Sequence, residues 1–76
     1  MEIKNILIGL MKKSFNNDSI DHNSNNNNTE NWDSINFLML IVNIEEEFNI
    51  SFKPEELVEL NSFELIFKAI KLKKSN

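Results

Sequence analysis

Trp32-Asp33-Ser34-Ile35-Asn36-Phe37-Leu38-Met39-Leu40-Ile41-Val42-Asn43-Ile44-Glu45-Glu46-Glu47-Phe48 holds the longest apolar-rich run of the chain. At about 100° per residue, Phe37, Leu40, Ile41, Ile44 and Phe48 fall on one arc, the core face of a helix predicted over residues 34–48. Asp33 is placed as its N-cap, or as an anion favoured by the helix dipole. Ile35, Leu38, Met39 and Val42 fall on roughly the opposite arc. A surface helix needs only one apolar face. Two imply a central helix, or an exposed patch that meets a partner. Ser34 stands where the second face begins. A serine there is either an ordinary first-turn residue beside a capping aspartate or a chemical handle.

Upstream lies a polar loop, residues 16–31, in which 8 of 16 positions are asparagine. Asparagine competes with helix by bonding to its own backbone, so the loop carries no predicted regular structure. The Asn25–Asn28 run reads as compositional bias. Ile20 is the one aliphatic residue available to pin the loop to the core, and Trp32 is expected to pack its end onto the bundle or to touch whatever Ser34 carries. Before the loop, Ile3, Ile6, Leu7, Leu10 and Met11 form the stripe of an amphipathic helix over about residues 2–15.

Downstream, Ile50 and Phe52 alternate with Ser51 and Lys53 in a short extended link. Pro54-Glu55-Glu56 is a helix-start signal for a short third helix over about residues 54–60. Asn61-Ser62-Phe63-Glu64 resembles a capping box, with Glu64 reaching back to a cap at Asn61. A last helix is predicted over about residues 62–72, with Phe63, Ile66, Phe67 and Ile70 inward.

The expected architecture is all-α: one domain over residues 1–76, a small four-helix bundle with a long first loop and a short third helix. One glycine and one proline are too few for a β-sandwich or barrel. The chain has no cysteine, which excludes disulfides, cysteine-based zinc sites and a cysteine nucleophile. With Met1 running into Glu2 and Lys4 and no leader-like segment, a cytoplasmic protein is expected. No run approaches the length of a membrane span. The net charge is −4, which argues against nucleic acid as the main partner. Acids crowd the middle of the chain and lysines its two ends, which suits a partner with a basic surface.

Little intrinsic chemistry is on offer. His22, the only histidine, reads as a solvated loop residue, and no metal site is expected. There is no glycine-rich phosphate loop. Ser34 has no neighbouring His or Lys to activate it, so a self-acting nucleophile is not expected. A serine to which another enzyme attaches a prosthetic group needs none of that machinery.

On these residues the chain resembles the acyl carrier proteins. Asp33-Ser34-Ile35 is similar to the family's Asp-Ser-Leu signature. Ile44-Glu45-Glu46-Glu47-Phe48 follows at the family's spacing and resembles its Leu-Glu-Glu-Glu-Phe stretch. Residues 50–57 resemble its short link into the third helix, and the likeness covers roughly residues 1–72. The resemblance implies a carrier fold and no enzymatic activity. It implies a covalent 4′-phosphopantetheine arm on Ser34, transferred from coenzyme A by a phosphopantetheinyl transferase and presented with the help of Asp33. The arm would hold an acyl or aminoacyl group as a thioester. Ile35, Met39 and Val42, flanked by Glu45 and Glu46, would dock acyl-loading and acyl-transferring enzymes with basic surfaces, and a monomer is expected. Ile35 replaces the usual leucine, Trp32 a small residue, and Asn36 and Met39 stand at positions often acidic in fatty-acid-synthesis carriers. Beside a fatty-acid or polyketide carrier, these departures point to a specialised stand-alone carrier for polysaccharide modification, secondary metabolites or amino-acid loading. The alternative is an unmodified helical interaction module using the outer face of the second helix.

Overall fold

Three asparagines set the ends of the long helices in a chain with a single glycine. The computed structural model describes residues 2–75; Met1 and Asn76, the two ends of the expected domain, lie outside the described residues. Helix α1 spans Ile3–Phe15 and α2 spans Ser34–Phe48. Each ends on an asparagine in the left-handed region, Asn16 at φ 48° and Asn49 at φ 55°. The next residue then bonds back: Asn17 N–H to the Lys12 carbonyl at 3.0 Å and Ile50 N–H to the Glu45 carbonyl at 3.2 Å. This is the Schellman arrangement, usually made by glycine, and asparagine is the residue that next most readily enters the left-handed region. Asn31, at φ 69°, makes a third such turn just ahead of α2.

Helix α3 is a single turn, Pro54–Leu57, and α4 spans Phe63–Lys74. Among the described residues the elements are these four helices, the all-α bundle the sequence led one to expect. Helix α1 packs on both α2 and α4. The core combines Leu7, Met11 and Phe15 from α1, Leu40, Ile41, Ile44 and Phe48 from α2, and Phe63, Ile66 and Ile70 from α4, closed by Ile20 and Leu60. The Cα radius of gyration is 11.2 Å, close to the roughly 11 Å of a compact domain of this length.

The loop of residues 16–31 is a series of local side-chain turns. Asn17 Oδ1 accepts Ser19 N–H at 2.8 Å, Asp21 Oδ1 accepts Asn23 N–H at 2.8 Å, and Asn25 Oδ1 accepts Asn27 N–H at 2.7 Å. These are the Asx turns that asparagine and aspartate form unaided. Two tertiary bonds then fix the loop to the start of α4: Phe63 N–H to the Ser24 carbonyl at 2.9 Å and Asn26 N–H to the Asn61 carbonyl at 3.0 Å. Ser24 is 6% exposed and Ile20 is buried, so the loop is anchored at two points.

Three boundaries differ from the expected ones. Helix α3 stops at Leu57 rather than at residue 60. Tighter bonds follow it, Glu59 N–H to the Glu56 carbonyl and Leu60 N–H to the Leu57 carbonyl, and they turn Leu60 into the core while Val58 stays exposed. The cap of α4 is Ser62, whose Oγ accepts Leu65 N–H at 3.2 Å, not Asn61 bridged by Glu64. Asn61 is occupied by the loop, and Ser62 is held extended as the bridge partner of Asn25. Finally, α4 continues to Lys74 instead of ending at residue 72. Lys73 Nζ reaches Glu56 Oε2 at 2.9 Å and Lys74 Nζ donates to the Phe48 carbonyl at 3.2 Å, which holds the last turn against α2 and α3.

Candidate functional site

The start of α2 is assembled from the end of the loop. Asn31 Nδ2 donates to the Phe15 carbonyl at 2.8 Å, tying this point to the C-terminus of α1. Asp33 N–H donates to the Asn31 carbonyl at 2.9 Å, a tight turn about Trp32. That turn lays the Trp32 ring against Phe15, 4.9 Å between centroids, and within 6.3 Å of Phe37. Asp33 is extended, and its Oδ1 accepts Asn36 N–H at 2.9 Å. Asn36 Nδ2 returns to the Asn31 carbonyl at 3.0 Å, closing a ring of bonds around the helix start.

Ser34 is the first residue of α2 and is exposed. Because Asp33 makes the cap bond, that task does not fall on the Ser34 hydroxyl. The first N–H groups of an α-helix lack intrahelical acceptors, and the positive end of the dipole lies there, so an anion is favoured at this point. A phosphate ester on the Ser34 hydroxyl fits the site: the oxygen is accessible and the local field suits the added charge. Beside it lies an open depression of about 280 Å³, lined by Asn26, Trp32, Asp33, Ser34 and Phe37.

The structure brings Asp33 and Ser34 together at one end of α2 and runs Ile35, Met39 and Val42 along its outer face. Their side chains are 76%, 54% and 47% exposed, and Leu38 joins them at 53%. The two acids expected at the rim differ. Glu46 is exposed. Glu45 is half-buried, and its Oε2 accepts Phe52 N–H at 2.9 Å, so this carboxylate also fixes the link between α2 and α3. Two residues beside Ser34 carry no local signal of being there. Phe37 was placed wholly on the core arc, yet it is half-buried and reaches the depression. Asn26 was indistinguishable within the asparagine run; only its backbone bond to Asn61 places it next to Ser34.

Among the described residues no group of three or more His, Cys, Asp or Glu side chains is arranged to hold a metal ion, and no helix is long and apolar enough to cross a membrane.

No curated protein matches the chain significantly. The family model described as the phosphopantetheine attachment site matches residues 30–70, which takes in the whole of α2 and α3 and most of α4. Members of this family are carrier domains that hold 4′-phosphopantetheine covalently on a serine and work with partner enzymes. With the helical bundle, the serine at the head of α2 and the match over more than half its length, the chain belongs to the phosphopantetheine-attachment family of acyl carrier protein domains.

Proposed function

We propose that Ser34 is the attachment serine and that the chain is an acyl or aminoacyl carrier. The observation that carries this is the contrast between the three serines inside residues 30–70. Ser62 Oγ is engaged in capping α4. Ser51 is exposed but lies in the link ahead of the single-turn helix α3, outside its cap at Lys53. Ser34 alone combines an exposed hydroxyl with the positive end of a long helix and a neighbouring acid that has taken over the capping bond.

In the attachment step Ser34 Oγ forms a bond to the phosphorus nearest the pantetheine half of coenzyme A. The bond from that phosphorus to the bridging oxygen of the pyrophosphate breaks, and the nucleotide half departs with the electron pair. The hydroxyl proton goes to a base of the phosphopantetheinyl transferase. Asp33 fixes the first turn so that the hydroxyl faces outward, and its second oxygen, which accepts only a long 3.4 Å bond from Asn36 Nδ2, is the one offered to the transferase. The attached group supplies a thiol that holds cargo as a thioester, which explains how a chain without cysteine can do thiol chemistry. Tethering raises the cargo's effective concentration at each partner's active site.

The outer face of α2, Ile35, Met39 and Val42 with Glu46 and the outer edge of Glu45 at its rim, is the docking surface for loading and transferring enzymes with basic surfaces. Asn36 and Met39 make that face less acidic than in fatty-acid-synthesis carriers, which supports a specialised stand-alone carrier. The chain works as a cytoplasmic monomer.

The test is intact mass after incubation with coenzyme A and a broad-range phosphopantetheinyl transferase. A gain of one phosphopantetheine, absent in Ser34→Ala and retained in Ser51→Ala, is the expected result. A folded chain that gains nothing is instead an unmodified interaction module, and a gain that survives Ser34→Ala moves the attachment elsewhere.

A further inference from the structure

We propose that the depression formed by Asn26, Trp32 and Phe37 beside Ser34 is a resting site for the pantetheine arm, an inference that rests on Ser34 being the attachment serine. Ser34 itself forms part of the wall, so whatever is attached there starts inside the depression. The volume of about 280 Å³ suits part of the arm rather than the arm with its cargo.

The lining, more polar than apolar and including Asp33, still offers both kinds of group that the near end of the arm presents. Just past the phosphate comes a quaternary carbon with two methyl groups, then a hydroxyl and an amide. Trp32 and Phe37 present an apolar wall to the methyl groups. This wall is stiff, because Trp32 is stacked on the buried Phe15 ring and held by the Asn31 turn. Asn26 faces the same space with an amide that both donates and accepts, the pair of functions a hydroxyl and an amide require. Its position is fixed rather than incidental, since its own N–H is bonded to the Asn61 carbonyl and its neighbour Asn25 bridges to Ser62. The long loop therefore has a task in this chain: bonded to the start of α4, it brings Asn26 to the head of α2 as one wall of the site. An apolar contact and one hydrogen bond hold the arm weakly, so it can still leave for a partner's active site.

The experiment uses the intact chain converted with coenzyme A carrying a carbon-13-labelled pantetheine moiety, with full conversion verified by mass. Isotope-filtered NMR is expected to show NOEs from the two arm methyl groups to the Trp32 indole and the Phe37 ring, and the emission of Trp32, the sole tryptophan, is expected to shift between the unmodified and modified forms. Asn26→Ala, at an exposed position, is expected to lower the docked population about 2- to 10-fold, the factor carried by one modest hydrogen bond, with the fold unchanged. A fully modified chain whose arm methyls show no NOE to either ring, or show NOEs to the α2–α3 side at Leu57 or Val58, overturns the resting site while leaving attachment at Ser34 intact. A folded chain that is not modified overturns the attachment reading, and the resting site with it.

Discussion

The Trp32 ring stacks on Phe15 with centroids 4.9 Å apart and an interplanar angle of 27°, which joins the residue before Asp33 to the last turn of α1. The same turn of α1 receives the Asn31 side chain. The direction in which α2 leaves the loop is therefore fixed by contacts to another helix, not by the cap alone.

Trp32→Ala is expected to cost about 2–3 kcal/mol, below the full cost of a core tryptophan because the ring is half-buried. Urea unfolding at constant m-value measures it. Amides of residues 16–31 are expected to lose exchange protection before the core does. A change under about 0.5 kcal/mol would mean that the stack contributes only orientation.

Asp33 and Ser34 separate by their tasks. Asp33→Ala removes the acceptor of Asn36 N–H and is expected to cost about 1 kcal/mol, with Asp33→Asn restoring most of it. Ser34→Ala is expected to stay within about 0.5 kcal/mol of the parent, since the hydroxyl is exposed and does not make the cap bond, while abolishing the mass gain. Equal destabilisation by both alanines would return Ser34 to a capping role.

The two faces of α2 predict opposite sensitivities. Leu40→Ala opens a cavity between α1 and α2 and is expected to cost about 2–5 kcal/mol. Met39→Ala and Val42→Ala, at exposed positions, are expected to change stability by no more than about 0.5 kcal/mol each, yet to lower kcat/KM of the transferase through KM. A large stability loss at Met39 would show that this face is structural.

Asn49 stands in the left-handed region at φ 55°. Asn49→Ala is expected to cost about 1 kcal/mol, because a β-carbon without the short amide is strained there. Asn49→Gly is expected to match or exceed the parent. Thermal midpoints are the check, with the alanine variant below the parent and the glycine variant at or above it; alanine equal to glycine would sink the cap assignment.

Glu56 is held in its charged form by its neighbours. The Lys53 N–H, donating at 2.7 Å to Oε1, and then the Lys73 ammonium hold its carboxyl below the ordinary carboxylate value. A carboxyl with a depressed folded pKa adds stability that is full above its unfolded pKa and is lost as pH falls through the folded one. Stability is therefore expected to decline on acidification through the carboxylate range. Glu56→Gln should flatten that part of the profile, and Lys73→Met less so, because the larger cause is the Lys53 N–H. Both side chains of the pair are partly exposed, 26% for Lys73 and 35% for Glu56, so added salt weakens its share. An unchanged acid limb in Glu56→Gln would assign the decline to other carboxylates.

How much could be read in advance differs from element to element. Helix α2 was legible to the residue, Ser34 to Phe48, since a strong cap, a five-residue inward arc and an asparagine stop all agree. Its outer arc was legible too, because apolar residues that periodicity places opposite the core have nowhere inside to go. The end of α3 and the cap of α4 were not. Pro54-Glu55-Glu56 announces a helix, but its length depends on where Leu60 must enter the core. Asn61 and Ser62 are both good caps by type, and the choice between them belongs to the loop that binds Asn61.

The same division holds at the head of α2. The helix, its two faces, the aspartate cap and the serine beside it follow from local spacing and from side chains acting on their own backbone. That Asn26 and Phe37 flank Ser34, that Trp32 lies on Phe15, and that an asparagine-rich loop is ordered come from packing across the fold. Those relations join residues far apart in the chain, through a stacked pair of rings and two backbone bonds to the start of α4, and no periodicity encodes a contact of that kind.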